Sequence, residues 1–154
     1  MAATLTQVWE AICSHVETHL GLVTWPLAEP NMPVPCALVP PLPEQGVARA
    51  TFGNDGYYGA SGGDMAVWTV TVVMSADLLK ESAKALLSYA DPVGERSVWQ
   101  AFAAPTGEVH QTLGGIVESC AVLRVTDQRA IAIDEQLLGW GFEFEVQVSA
   151  RRSS

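Results

Sequence analysis

The sequence predicts an α+β fold: a largely antiparallel β-sheet with an N-terminal helix and two central helices packed on one face. Three observations lead there. Apolar residues recur at helical spacing over residues 4–20 and, more weakly, over 76–90 and 96–103. β-Branched or strictly alternating runs fill 65–74, 116–126 and 139–150. Helices and strands arrive in blocks (helix, strands, two helices, strands) and not as regular βαβ units.

The first helix is carried by Leu5, Val8, Trp9, Ile12, Cys13, Val16 and Leu20, which make one apolar stripe. Thr4 or Thr6 caps its start and Gly21 ends it; Gln7, Glu10, Ser14, Glu17 and Thr18 fall on the wet side. Residues 26–43 hold seven of the nine prolines, a density that excludes helix and allows only short or edge strands, with 36–39 as one such strand. This stretch is expected to be an extended arm or a wall laid against the sheet. Residues 47–52 read as a strand, and 53–64 as the glycine-rich tip of a hairpin whose second strand is 65–74. On that second strand Val67, Thr69, Thr71 and Val73 take one face, and Trp68, Val70, Val72 and Met74 the other. Both faces are apolar enough to predict a central strand, or one whose second face is covered.

Ser75 or Asp77 is expected to cap the second helix, with Leu79, Ala83, Leu86 and Leu87 as its apolar face and Pro92 and Gly94 as its stop. The short third helix presents Val98, Trp99 and Phe102. Leu113-Gly-Gly115 is a turn, 116–126 a strand and 130–133 a short piece. In the final strand Phe142, Phe144, Val146 and Val148 alternate with Glu143, Glu145 and Gln147, so one face is buried and the other is wet or meets a partner.

At 154 residues the chain fits one domain, spanning 1–154, since domains run to roughly 100–200 residues. It is 49% hydrophobic and only 16% charged, which argues against disorder and suggests apolar surface set against another chain. With 17 acidic and 8 basic residues, the net charge of −9 makes its whole surface a poor binder of nucleic acid. Cys13, Cys36 and Cys120 form no CxxC pair and sit among apolar residues, as reduced core thiols of a reducing compartment do. No run approaches a membrane span of roughly 18 apolar residues. The N-terminus has no basic segment ahead of an apolar one, so a soluble protein without a signal peptide is expected.

The candidate chemistry is thin. His15 and His19 share a helix face at i, i+4, but zinc needs at least a third ligand and no HExxH is present, so a solvated or partner-facing helix side is favoured. Gly59-Ala-Ser-Gly-Gly63 lacks the strand–turn–helix setting of a nucleophile elbow and the GK[ST] of a phosphate loop. Glu143 and Glu145 read as a charged outer face in preference to an acid–base pair. No catalytic residue, cofactor site or metal site is assigned. The candidate residues are instead protein contacts: Asn54, Asp55, Tyr57, Tyr58 and Asp64 in the glycine-rich segment, and Trp140, Glu143 and Glu145 on the last strand. The paired tyrosines are amphipathic anchors that suit an interface, and Trp140 is open to either a core or a contact role.

One further pattern bears on function. Leu-Leu-Ser-Tyr-Ala-Asp-Pro-Val-Gly-Glu-Arg-Ser-Val at 86–98 is followed by Thr-Leu-Gly-Gly-Ile-Val at 112–117, Val-Leu-Arg-Val at 122–125 and Leu-Gly-Trp-Gly-Phe-Glu-Phe-Glu-Val-Gln-Val at 138–148. In this series the chain resembles the tail terminator proteins of long, non-contractile-tailed phages, especially those of actinobacterial hosts. The resemblance implies a small α+β subunit that closes into a homo-hexameric ring. Such a ring caps the head-proximal end of the tail tube, stops polymerisation of the major tail tube protein and offers a surface to the head–tail connector or stopper protein. Genomic DNA passes through its lumen without specific binding, and an acidic lumen would suit that passage. The location implied is the virion tail or neck, and the host cytoplasm during assembly. Three alternatives stand beside it: another neck component such as a stopper, a tail-tube subunit, or a small enzymatic or ligand-binding α+β domain, which would need a pocket with convergent polar groups.

Overall fold

A computed structural model describes residues 4–27, 29, 32–41, 63–75, 80–126, 129–133 and 136–151. The fold is α+β. Helix α1 (Leu5–Leu20) starts at a capping box, in which the Gln7 N–H donates to Thr4 Oγ1 at 3.1 Å and the Thr4 N–H to Gln7 Oε1 at 2.9 Å. It stops at Gly21, whose left-handed φ of 68° lets its N–H reach the Glu17 carbonyl. Val8, Ile12 and Val16 are fully buried, as the stripe predicts.

Strands β1 (Val23–Trp25) and β2 (Cys36–Leu38) follow and pair in parallel. The long β3 (Gly63–Ser75) pairs antiparallel with β2 and, along its whole length, with β6 (Gln136–Arg151). The far side of β6 is lined first by β4 (Ser119–Val125) and then by β5 (Arg129–Ile133), both antiparallel to it. The order is β1-β2-β3-β6-β4, with β5 beside β6, so the sheet is mixed and mostly antiparallel. β1 has no counterpart in the sequence reading: three residues between a helix cap and a proline show no periodicity to detect. The expected strand 47–52 and hairpin tip 53–62 lie outside the described residues. Among the described residues the partners of β3 are β2 and β6, which makes it central, as expected.

Helices α2 (Lys80–Ala90) and α3 (Val98–Ala101) lie with α1 on one face of the sheet. Together they enclose Trp68, Val70 and Val72 of β3 and Phe142, Phe144, Val146 and Val148 of β6. One detail of α2 departs from expectation. Leu87 is 63% exposed, and Tyr89 takes the inward position with Leu86. The inward arc is set by where α2 meets β3 and α3, and position 87 falls outside it. Ser75 ends β3; the rest of the expected start of α2 lies outside the described residues. Ser97 caps α3, accepting from the Gln100 N–H at 3.2 Å while its own hydroxyl donates to the Asp91 carbonyl.

The opposite face carries a second, smaller cluster in which Met32, Cys36 and Val73 pack with Val34, Leu38, Trp25 and Ile131. Residues 32–38 of the proline-rich stretch thus do lie against the sheet. Gly139 and Gly141 allow β6 to approach β3 closely: a Cβ at either would sit 2.0 Å from the Met74 carbonyl oxygen or 2.2 Å from that of Val72. No helix among the described residues is long and apolar enough to cross a membrane.

Candidate functional site

A depression along the outer side of α1 has a volume of about 460 Å³. His15 and His19 stack in its wall with ring centroids 4.1 Å apart, and His15 also leans on Phe102 at 4.8 Å. His15 is not available as a ligand at Nε2, which donates to the Ala101 carbonyl at 2.5 Å. Burial lowers its pKa below the ordinary 6.5, with His19 adding to the fall and the Ala101 bond opposing it, so the ring is neutral near pH 7. Among the described residues no group of three or more His, Cys, Asp or Glu could hold a metal ion. Ser14 and Thr18 also line this depression, and among the described residues no hydrogen bond links either hydroxyl to a base.

A second groove of about 290 Å³ opens between α1 and β1. Trp9, Cys13, Thr24 and Trp25 line it, with the Trp25 side chain packed into the cluster on the other face, and the exposed Glu10 and Glu17 belong to its rim. The Trp9 indole N–H donates to the Val39 carbonyl at 3.0 Å, which ties α1 to the end of β2. Burial raises the Cys13 thiol pKa, Glu17 and Glu10 push the same way, and a hydrogen bond with Thr24 opposes them. Cys36 and Cys120 are pushed up by burial to about 11 and about 12. All three cysteines are free, and none has the lowered pKa of a reactive thiolate.

The two ends of the sheet differ in surface. At the β1 end Val23 is 52% and Leu27 67% exposed; at the β4 end Leu123 is 45% exposed, where a bulge interrupts the ladder between Val122 and Arg124. The loop ahead of β4 adds Ile116 and Val109, and its Leu113–Gly115 turn has the positive φ angles expected of it.

Of the sequence-predicted contact residues, Asn54, Asp55, Tyr57 and Tyr58 lie outside the described residues, and Asp64 pairs with Ala150 near the start of β3. Trp140 is half-buried between the two close-approach glycines, opposite Met74 and Ala130. The charged outer face expected of Glu143 and Glu145 is corrected. Glu145 is only 4% exposed, and the Arg124 Nε–H donates to its Oε2 at 2.6 Å. The reason is position: β6 is flanked on both sides, so a long cation from β4 closes over the carboxylate. Glu143 is half-buried, and its N–H donates to Thr126 Oγ1 at 3.0 Å. The α1–β1 groove was missed. Its residues are 15 or so apart in sequence, and only the lone Arg124 in an apolar strand signalled the ion pair at the other end.

No protein-family model matches this sequence. No curated protein matches it either.

Proposed function

We propose that this chain is a structural subunit that closes into a ring, in the role of a tail terminator at the head-proximal end of a phage tail tube. One observation carries the assembly part of this reading: among the described residues the sheet ends in two unlike edges, each bearing exposed apolar side chains. A head-to-tail ring needs two different, complementary patches on each subunit, whereas a two-fold dimer needs one. The tail-end part rests on the resemblance at 86–98, 112–117, 122–125 and 138–148. The net charge of −9 is compatible with a conduit that DNA traverses without sticking. The two grooves add no convergent catalytic set, so no reaction is assigned.

The test is native mass spectrometry of the full chain, alone and mixed with tail-tube protein. A ring in isolation, or one that assembles on tube ends and halts their growth, is the expected result. A monomer or dimer that ignores tube protein overturns the reading.

A further inference from the structure

Opposite ends of one sheet carry complementary chemistry. At the β1 end the α1–β1 groove brings the Trp9 indole together with Glu10 and Glu17, with exposed Val23 and Leu27 beside it. At the β4 end Leu123 is exposed at the bulge, and next to it Arg124 keeps 62% of its side chain in solvent while its Nε–H is fixed on Glu145. That anchor uses one of the five guanidinium donors and holds the planar fork at the sheet's rim. Lys84 pairs with Glu81 on α2, and Arg96 lies over the Tyr89 ring from the turn after it.

We infer that in the ring the β4 end of one copy docks on the α1–β1 groove of the next, with the Arg124 guanidinium between the Glu10 and Glu17 carboxylates and over the indole of Trp9. A guanidinium both pairs with carboxylates and stacks on aromatic faces, so this groove offers it two kinds of partner at once. Leu123 meets Val23 and Leu27. The contact is made by side chains and does not extend the sheet, because Gln111 already bridges β4 at Cys120 and a bulge at Leu123 breaks the strand's regular repeat. Arg124 shares the register position of Glu145 on the helix-free face, whereas the groove lies on the helix side. Neighbouring copies therefore overlap by one layer, as tiles do. The inference rests on the ring reading but names its contact, and it is tested without tube protein.

The experiment is sedimentation velocity on the full chain, with circular dichroism to check folding. The wild type self-associates. Glu10→Arg with Glu17→Arg on the exposed face of α1 weakens association by about tenfold or more, as charge reversal at an interface does, and so does Arg124→Glu. Mixing the two variants restores assembly, because every contact in an alternating ring then joins opposite charges. Should Arg124→Glu fail to fold, Leu123→Glu replaces it on the same edge with the same expected loss. A groove variant that associates as tightly as wild type overturns the contact, as does a wild-type monomer at every concentration reached. The two readings fail separately. Charge-sensitive rings that ignore tube protein leave the contact standing and remove the tail-end role. Tube capping that survives Glu10→Arg/Glu17→Arg removes the contact and leaves the role.

Discussion

On the helix side of β3 and β6, Trp68, Val70, Val72, Phe142, Phe144, Val146 and Val148 are at most 3% exposed, and three helices supply the cover. On the other side the same strands present Thr69, Thr71, Glu143, Glu145 and Gln147, with Val73 toward the β2 end. Adjacent positions of one strand, Phe144 and Glu145, are buried to nearly the same degree by different means. Phe144 needs only apolar neighbours, since the hydrophobic effect is non-directional. Glu145 needs one particular donor at 2.6 Å, held on a different strand. The first kind of burial follows from a pattern of residue types. The second depends on strand register, which a bulge one residue away from Arg124 resets.

The contrast breaks most visibly on the helix side. Phe144→Ala empties a fully buried site that faces Phe102 at 5.9 Å and Phe142 at 6.4 Å. The expected cost is about 3–5 kcal/mol, read as a fall in the urea midpoint. A loss below about 1 kcal/mol, the range of tolerated core swaps, would mean that this face is not the main core.

Position 145 answers to its partner and not to its volume. Arg124→Met leaves a buried carboxylate without its donor. Because the arginine is mostly solvent-exposed, the expected cost is about 1–2 kcal/mol, below that of breaking a fully buried pair. Combining Arg124→Met with Glu145→Leu recovers most of that loss, since an apolar pair of similar size needs no donor. If the double variant is the less stable one, the carboxylate holds more than this single arginine.

What the sequence disclosed divides along the same line. The stripe of α1, its Thr4 and Gly21 caps, the central β3 and the inward alternation of β6 were all legible, because each is a local period or a local cap. Leu87 turned outward and Tyr89 inward because a helix's inward arc is fixed by its neighbours and only approximately by its residues. β1 escaped notice because parallel pairing with β2 spans the 10 residues between them and leaves no mark on a three-residue run. The same holds for the sites. Glu145 was found as a residue and misread as a surface. The α1–β1 groove, which joins Glu10 and Glu17 to Trp25, exists only once the helix has packed on the sheet.

The smallest expected effect lies at the junction of α1 and α3, where a polar ring is half-buried on the apolar side. His15 rests against Phe102 and donates to the Ala101 carbonyl, so its neutral form is the one the fold accommodates. Its pKa in the folded chain is lowered, chiefly by burial, from the ordinary value of 6.5 that the unfolded chain retains. As pH falls below 6.5, the unfolded chain therefore takes up a proton before the folded one does. The stability associated with His15 is complete above that value and is lost progressively until the lowered folded pKa is passed. The urea midpoint of the wild type should fall between about pH 7.5 and about pH 5.5, a window centred on histidine titration. His15→Gln lowers the midpoint at the upper pH, through the lost ring contacts, but flattens the slope between the two. Equal slopes in both proteins would place the acid sensitivity elsewhere and show that the helix side tolerates a charged ring as readily as the other face tolerates its carboxylate.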